Sequence, residues 1–135
     1  MNGIRFAGME HLDWLADHDA HISRDVLEES IRLRRVLVAC NDGKLLGWLR
    51  WNLFWDNTPF MNLLFVLEEC RGQGVGQALV RFWEAEMRRL GHALVMTSTQ
   101  ANECAQFFYR KLGYEDAGGF CLPGDSYELI LCKKI

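Results

Sequence analysis

Residues 64–79 of the chain read Leu64-Phe65-Val66-Leu67-Glu68-Glu69-Cys70-Arg71-Gly72-Gln73-Gly74-Val75-Gly76-Gln77-Ala78-Leu79. An apolar segment passes here through a glycine-rich turn into an apolar pattern of helical spacing, which predicts a strand, a turn and a helix in direct succession. The first N–H groups of a helix have no partner within it, and the helix dipole adds partial positive charge there. Gly72, Gly74 and Gly76 carry no side chains, so a pyrophosphate could approach the backbone closely. We therefore expect an anion site at this turn, to which Arg71 either adds a charge-assisted contact or, facing solvent, adds none.

Three known phosphate-binding patterns compete for this turn. A Walker loop requires Lys-Ser or Lys-Thr after its last glycine, whereas Gln77-Ala78 follows here. A dinucleotide-binding turn requires Gly-x-Gly-x-x-Gly after the first strand, and neither the spacing nor the position fits. The Arg/Gln-x-x-Gly-x-Gly/Ala pattern of acyl-CoA pyrophosphate loops is satisfied by Arg71-x-x-Gly74-x-Gly76. The turn therefore favours an acyl-CoA ligand.

A second block downstream reads Asn102-Glu103-Cys104-Ala105-Gln106-Phe107-Phe108-Tyr109-Arg110-Lys111-Leu112-Gly113-Tyr114. With both blocks in order and at the expected distance, the chain resembles the GNAT superfamily of acetyltransferases. The resemblance is close over residues 45–114 and rests elsewhere on the order of the elements. It implies an α/β (α+β) class, the GNAT acyl-CoA N-acyltransferase fold, with a mixed central sheet of about seven strands flanked by about four helices. We expect residues 1–135 to form a single GNAT domain.

The remaining sequence predicts an order of elements that agrees with a mixed sheet covered by helices. Ser23 is a favoured N-cap for the second helix, and Asn41-Asp42-Gly43-Lys44 is a strong hairpin signal. Gly91 and Gly113 are placed to end helices. The expected strands are Ile4–Phe6, Arg35–Ala39, Leu45–Phe54, Phe60–Leu67, Ala93–Thr97, Tyr114–Cys121 and Tyr127–Cys132, and the expected helices are Met9–Asp19, one from Ser23, about Gly74–Leu90 and Asn102–Leu112.

The resemblance also implies which residues bind the acyl-CoA. The backbone of the central strand would hold the pantetheine arm, and the amides after the strand would hold the pyrophosphate. A backbone N–H near Val66 or Leu67 would polarise the thioester carbonyl. The full expected set is Leu64, Phe65, Val66, Arg71, Gly72, Gln73, Gly74, Val75, Gly76, Gln77 and Asn102.

Two residues of the second block have alternative roles. Asn102 matches a family residue that bonds the pantetheine arm, yet Asn is also a favoured helix N-cap. Tyr109 matches the family tyrosine that protonates the leaving thiolate, and a phenol with a pKa near 10 can donate that proton. The alternative for Tyr109 is an aromatic residue packed on the inner face of its helix.

The base that would take the proton of the attacking amine is not evident. Some members of the resembled family use a glutamate five residues before the asparagine, where this chain has Thr97. Asp56, Glu68 and Glu69 are the remaining carboxylate candidates. Direct attack by the amine is expected, because Cys70 and Cys104 have no histidine close in sequence and make an acyl-cysteine route a minor hypothesis.

Together these features predict an acetyl-CoA-dependent N-acetyltransferase acting on a primary amine of a small molecule, peptide or protein. The alternative from another class is a non-catalytic CoA-binding or regulatory module on the same fold. Transfer of a longer acyl group, or transfer to a hydroxyl, also stays open. The acceptor would lie against the N-terminal helices, the Trp48–Thr58 region and the C-terminal hairpin.

Side chains of that acceptor region have simpler explanations as well. For the aromatic residues the simpler expectation is packing in the core or against a second copy in a homodimer. The acidic residues could attract a cationic amine, and the simpler expectation is that they form a solvated helix face. The aromatic set is Trp48, Trp51, Phe54 and Trp55, and the acidic set is Asp17, Asp19, Asp25, Glu28 and Glu29.

Composition excludes other classes of function. The 135 residues have a net charge of −3 and a pI near 5.8, which argues against a broad nucleic-acid surface. The five cysteines form no Cys-x-x-Cys pair and the four histidines no helix-spaced metal motif, so we expect no metal. The sequence has no apolar run of membrane-spanning length, and Met1–Arg5 lack the features of a signal peptide. A cytoplasmic protein with reduced thiols is expected.

Overall fold

The computed structural model describes residues 3–135, so Met1 and Asn2, the start of the segment assessed for a leader, lie outside it. Within this range seven strands and four α-helices follow the predicted order, with short 3₁₀ turns at Met9–His11 and Glu68–Cys70. The strands are β1 Gly3–Phe6, β2 Val36–Asn41, β3 Lys44–Phe54, β4 Thr58–Val66, β5 Leu94–Gln100, β6 Glu115–Phe120 and β7 Glu128–Lys134. The helices are α1 Leu12–His18, α2 Arg24–Arg32, α3 Val75–Arg89 and α4 Ala105–Lys111.

The strands form a mixed sheet in the order β1-β2-β3-β4-β5-β7-β6. The pairs β1–β2, β2–β3, β5–β7 and β6–β7 are antiparallel. The pair β4–β5 is parallel, with Phe60 opposite Met96 and Met61 opposite Thr97. This parallel pair requires a crossover, which α3 supplies in the sequence between the two strands. The predicted fold class is confirmed.

The chain divides into two compact units. The first unit runs up to Asn52 and includes Leu63–Trp83, and the second contains Leu53–Asn62 and Glu84–Ile135. In the first unit, buried side chains of α1 and α2 pack with those of β2 and β3 in one apolar cluster that includes Trp48. In the second unit, Met87, Val95 and Leu131 are fully buried.

The helix ends follow the predicted signals. The Val26 N–H donates to Ser23 Oγ over 3.4 Å at the start of α2. Gly91 and Gly113, both with positive φ, follow the ends of α3 and α4. The next residue in each case bonds back into the helix, as His92 N–H does to the Met87 carbonyl over 3.0 Å. Both helix ends confirm the prediction.

Several element boundaries differ from the prediction. β4 begins at Thr58 and includes Pro59, because a proline is tolerated near the start of a strand, where one missing N–H costs little. The first expected helix begins as a 3₁₀ turn, and α1 starts only at Leu12. Asn102 is not a helix N-cap: it lies in a turn, and α4 begins after Cys104, which caps it without a side-chain bond.

Asp19 also differs from the expectation of an exposed or amine-attracting acid. It is 3% exposed and accepts hydrogen bonds from Arg50 Nε over 2.7 Å and Trp48 Nε1 over 3.1 Å. Burial opposes ionisation, but the bonds from Arg50, His21 and Trp48 outweigh it and lower the pKa of Asp19. Its charge is therefore neutralised inside the first unit and holds the end of α1 on β3.

The aromatic segment of β3 divides between core and surface. Trp48 and Trp51 are buried, in agreement with the core interpretation. Trp55 is 79% exposed at the tip of the turn that connects β3 to β4, where its ring lies 4.7 Å from that of Phe54. Trp55 and Asp56 both adopt positive φ, which is uncommon for residues with side chains. The turn therefore presents its aromatic residue outward.

Candidate functional site

The glycine turn between β4 and α3 has the geometry of an anion site. Gly72 and Gly74 have φ values of 75° and 83°, in the left-handed region that favours glycine. The Ala78 N–H donates to the Gly74 carbonyl over 3.0 Å as the first bond within α3. The N–H groups of the residues that open α3 therefore have no acceptor one turn back along the chain. They lie at the positive end of a helix of 15 residues.

The backbone of this turn is accessible. Gly72, Gln73 and Gly74 are exposed. A side chain built on Gly72 or Gly74 would meet no atom within 4 Å, so a ligand can reach the same space. Val75 is buried and anchors the start of α3 in the first unit. The turn thus combines an open backbone with a fixed helix end, which suits a pyrophosphate.

Arg71 is tied to the end of β4. Its Nε–H donates to the Val66 carbonyl over 3.0 Å, and its guanidinium lies 5.4 Å from the centre of the Phe65 ring. The sequence left open whether Arg71 contacts an anion or solvent. The bond to Val66 uses Nε, which leaves the terminal NH₂ groups as the part that could contact a phosphate.

The edges of β4 differ in their partners. The Leu67 N–H donates to the Leu46 carbonyl of β3 over 2.8 Å, so it is engaged and unsuited to bind a thioester. The Phe65 carbonyl also faces β3, because a side chain built on Gly47 would lie 2.6 Å from it. Since backbone groups alternate between the edges of a strand, Leu64 and Val66 face the edge opposite β3. Val66 rather than Leu67 is thus left as the oxyanion candidate.

Tyr109 is buried in the second unit. It is 6% exposed, with ring centres 5.3 Å from Phe108 and 5.7 Å from Tyr114. Burial raises the pKa of Tyr109 to about 12, the hydrogen bond with Thr97 opposes the rise, and the Glu103 carboxylate adds to it. The phenol therefore keeps its proton throughout the neutral range, as a general acid must.

Thr97 is a buried polar residue whose partner sequence reasoning missed. It is 1% exposed on β5, and its Oγ1 donates to the Met61 carbonyl of β4 over 3.0 Å. The absence of a carboxylate at position 97 was visible in the sequence, but this bond between neighbouring strands was not.

Asn102 lies in the exposed turn between β5 and α4. The turn is closed by the Glu103 N–H, which donates to the Gln100 carbonyl over 3.0 Å. The cap interpretation of Asn102 is therefore wrong, because the turn continues to Cys104 before α4 begins. The expected contact of Asn102 with a ligand does not depend on a capping role.

The carboxylate candidates for a base lie outside the strands. Glu68 and Glu69 are exposed in the 3₁₀ turn after β4. Asp56 is exposed before β4, five residues ahead of the Met61 that pairs with Thr97. None of these three carboxylates lies on β5, the strand that contains Thr97.

A cleft of about 480 Å³ opens in the first unit between α1 and the turn joining β2 to β3. The His18 ring stacks on Trp14 at 3.7 Å, and its Nδ1–H donates to the Trp14 carbonyl over 2.7 Å. Among the described residues considered for acyl-CoA binding, only Leu67, the alternative to Val66 for the thioester carbonyl, lines this cleft. Its lining consists of Glu10, His11, Trp14, His18, Gly43, Lys44, Leu45 and Leu67.

The described residues offer neither a metal site nor a membrane-spanning helix. Between residues 3 and 135, His, Cys, Asp and Glu side chains form no group of three or more that could hold a metal ion. No helix in the same range is long and apolar enough to cross a membrane.

Comparison with known protein families gives a match over most of the chain. A family model described as an acetyltransferase (GNAT) domain matches residues 32–116. An uncharacterised N-acetyltransferase from Methanocaldococcus jannaschii is 32% identical over 81 residues, which cover 58% of this chain. The aligned part spans about half of that relative, 51% of its length.

Solved structures with the same fold cover nearly the whole chain. The ribosomal-protein-S18-alanine N-acetyltransferase from Escherichia coli has a TM-score of 0.82 at 18% identity, over 100% of this chain and 94% of its own. An aminoglycoside 6′-N-acetyltransferase complexed with coenzyme A has a TM-score of 0.80 at 17% identity, over 97% and 96% of the two chains. At such identities the likeness concerns the fold.

Proposed function

Because this chain belongs to the GNAT family of acetyltransferases, we propose that it is an acetyl-CoA-dependent N-acetyltransferase that acetylates a primary amine by direct attack on the thioester. The observation that carries the proposal is the accessible glycine turn at the start of α3. Its left-handed glycines leave the backbone open beside the first N–H groups of α3, which supports a pyrophosphate site of the kind an acyl-CoA requires. The aminoglycoside acetyltransferase with the same fold, which was solved with coenzyme A, supports this choice of ligand.

The residue roles in the proposal follow the contacts of each unit. In the first unit, the backbone from Gly72 to Gln77 holds the pyrophosphate, and Arg71 adds charge through its terminal NH₂ groups. Leu64 and Val66 offer backbone groups to the pantetheine arm and the thioester carbonyl, since Phe65 faces β3. When bound, acetyl-CoA supplies the acetyl group as an activated thioester.

The second unit contributes the remaining proposed residues. Tyr109 is the acid that protonates the leaving thiolate, and its raised pKa keeps that proton in place until the thiolate forms. Asn102 bonds the pantetheine arm from its exposed turn. We propose one domain over residues 1–135.

The acceptor is proposed as a primary amine of a small molecule, peptide or protein. Proteins of the same fold act on both kinds of acceptor, to judge from an alanine of a ribosomal protein and an aminoglycoside. Thr97 has no carboxylate, so the proton of the amine passes to Asp56, Glu68 or Glu69 or through a water relay to solvent. A cytoplasmic setting is proposed because all five cysteines are free thiols.

Thermal-shift titration of the protein with acetyl-CoA, CoA, ATP and NAD tests the ligand. Binding to the folded state alone stabilises it by about 3 kcal/mol at a hundred times the Kd. We expect Tm to rise by several degrees with the two CoA compounds and not with ATP or NAD. Release of free thiol in the presence of an amine panel then separates the enzyme from a non-catalytic CoA-binding module, which would bind CoA without release.

A matched pair of variants tests the site. Gly74→Glu places a carboxylate against the pyrophosphate position, and Gly43→Glu places one on the β2–β3 turn at a similar φ of 78°. A side chain at either position meets no atom within 4 Å, so both variants carry comparable backbone strain of about 1–2 kcal/mol. We expect Gly74→Glu to abolish the shift with CoA and Gly43→Glu to retain it. Normal CoA binding by folded Gly74→Glu would contradict the site.

A further inference from the structure

The cleft of the first unit contains a buried hydrogen-bond donor without a partner. His11 lines this cleft and is 9% exposed. The Gly8 N–H donates to His11 Nδ1 over 3.0 Å, so the proton of the neutral ring is on Nε2. The described residues supply no acceptor for this Nε2–H. Because a buried donor that stays unpaired costs free energy, the site favours a ligand that carries an acceptor.

Charge at the cleft favours an anionic acceptor. Lys44 is exposed in the lining and pairs with no carboxylate within residues 3–135. Glu10, an acid of the lining, has its Oε1 3.7 Å from His11 Nδ1, the nitrogen that Gly8 already bonds. Its carboxylate therefore does not compete for Nε2–H. One N–H and one lysine match the single charge of a carboxylate, whereas a phosphate brings up to two charges and three acceptor oxygens.

The rest of the lining suits an apolar ligand with an amine. The Trp14 and His18 rings stack 3.7 Å apart, and Leu45 and Leu67 add aliphatic surface. His18 Nδ1–H donates to the Trp14 carbonyl, which leaves Nε2 of the neutral ring as an acceptor for an amine N–H. The cleft volume of about 480 Å³ lies within the range of roughly 300–1,000 Å³ that is usual for small-molecule sites.

Leu67 connects the cleft to the proposed thioester position. It directly follows Val66, and both residues belong to the first unit. We propose that the cleft binds the acceptor, and that this acceptor is a small apolar amine that also carries a carboxylate. His11 Nε2–H and Lys44 hold the carboxylate, while the apolar part lies against Trp14. This inference rests on the proposed function and narrows its acceptor from any primary amine to one that resembles an amino acid.

Three compounds with the same phenyl group separate these contacts. Phenylalanine has both an amine and a carboxylate, phenethylamine lacks the carboxylate, and hydrocinnamate lacks the amine and cannot be acetylated. Calorimetric titration of the full chain with hydrocinnamate measures the carboxylate contacts without any catalysis. Thiol release from acetyl-CoA measures kcat/KM for the two amines. We expect hydrocinnamate to bind and kcat/KM to be at least about tenfold higher for phenylalanine than for phenethylamine.

Four variants assign these effects to the cleft. His11→Asn retains an acceptor for the Gly8 N–H but removes Nε2–H. We expect it to weaken hydrocinnamate binding, and to lower the preference for phenylalanine, about ten- to a hundredfold, the value of a hydrogen bond to a charged group. Lys44→Met should weaken both about two- to fivefold, as for an exposed ion pair, and Lys44→Arg should restore them. Lys134→Met removes an exposed lysine outside the cleft and should change neither.

The outcomes separate this inference from the proposed function. The Tm shift with CoA shows that each variant is folded. No binding of hydrocinnamate by the wild type, or a preference for phenylalanine that His11→Asn and Lys44→Met leave unchanged, would overturn the carboxylate site while acetyl transfer stands. Hydrocinnamate binding that depends on His11, without acetyl transfer to any amine tested, would count against the proposed function and so against the acceptor role of the cleft.

Discussion

The buried phenol of Tyr109 should make the protein sensitive to alkaline pH. Its pKa of about 12 in the folded state exceeds the ordinary value of 10.0 that applies after unfolding. Between these values the unfolded chain loses the proton while the folded chain keeps it, so the free energy of unfolding falls as pH rises. By pH 11 the loss attributable to Tyr109 amounts to about 1.4 kcal/mol, and below about pH 9 this group has almost no effect on stability.

Urea unfolding of the wild type and Tyr109→Phe at pH 8, 10 and 11 measures this effect. Other groups titrate in the same range, so the quantity of interest is the difference between the two proteins. We expect the gap in unfolding free energy to shift in favour of Tyr109→Phe as the pH rises. A gap that stays constant from pH 8 to 11 would show that the phenol titrates normally.

Single residues differ in how well their surroundings can be predicted. Gly72 and Gly74 are specified locally, since positive φ and a following helix are properties of adjacent residues. The bond of Thr97 to the Met61 carbonyl joins two strands far apart in sequence, so it depends on how the strands pair. Asn102 illustrates a third case: its side chain suits a cap, but the turn of the backbone continues to Cys104. Local preference alone does not decide between such alternatives.

At the level of elements, a buried carboxylate joins α3 to β7. Glu84 is 1% exposed and accepts from Lys133 Nζ over 3.0 Å and from the Tyr114 hydroxyl over 2.9 Å. Lys133→Met removes the cation that donates to this buried carboxylate. Removing one partner of such a pair costs about 3–5 kcal/mol. We expect a loss of this size in the free energy of unfolding, measured by urea denaturation.

The double variant Glu84→Gln/Lys133→Met provides the control. It removes both charges while the amide can still bond Tyr114. Because a neutral amide then replaces the buried carboxylate, we expect it to be more stable than Lys133→Met alone. If the double variant instead lost as much stability as Lys133→Met and Glu84→Gln lose together, packing and not charge would account for the effect.

Elements were predictable where the hydrophobic period and the end signals agree. The order of strands and helices followed from apolar spacing, from Ser23 and from Gly91 and Gly113, all of which act within one turn of chain. Boundaries were less predictable, as at Pro59, because strand pairing extends an element beyond its apolar core. The sequence also did not show that the Leu67 N–H points toward β3, because the two edges of a strand can be told apart only once its neighbouring strands are known.

At the level of the whole molecule, the two units share continuous elements. The boundaries between them fall within β3 at Asn52, within β4 at Asn62 and within α3 at Trp83. A helix forms cooperatively, so half of α3 cannot easily persist when the other half unfolds. The overall architecture was predictable because the glycine turn and the second block at residues 102–114 together indicate the family. The division into units was not, because it follows from long-range packing.

Shared elements predict a single unfolding transition, as most single domains under about 150 residues show. Four of the five tryptophans lie in the first unit, and Trp55 alone lies in the second, so tryptophan fluorescence reports mainly on the first. Lys133→Met weakens the second unit. If residues 1–135 act as one domain, this variant should lower the urea midpoint detected by tryptophan fluorescence as much as the midpoint detected by circular dichroism. An unchanged fluorescence midpoint with a biphasic dichroism curve would mean that the units unfold separately, and the proposal of one domain would fail.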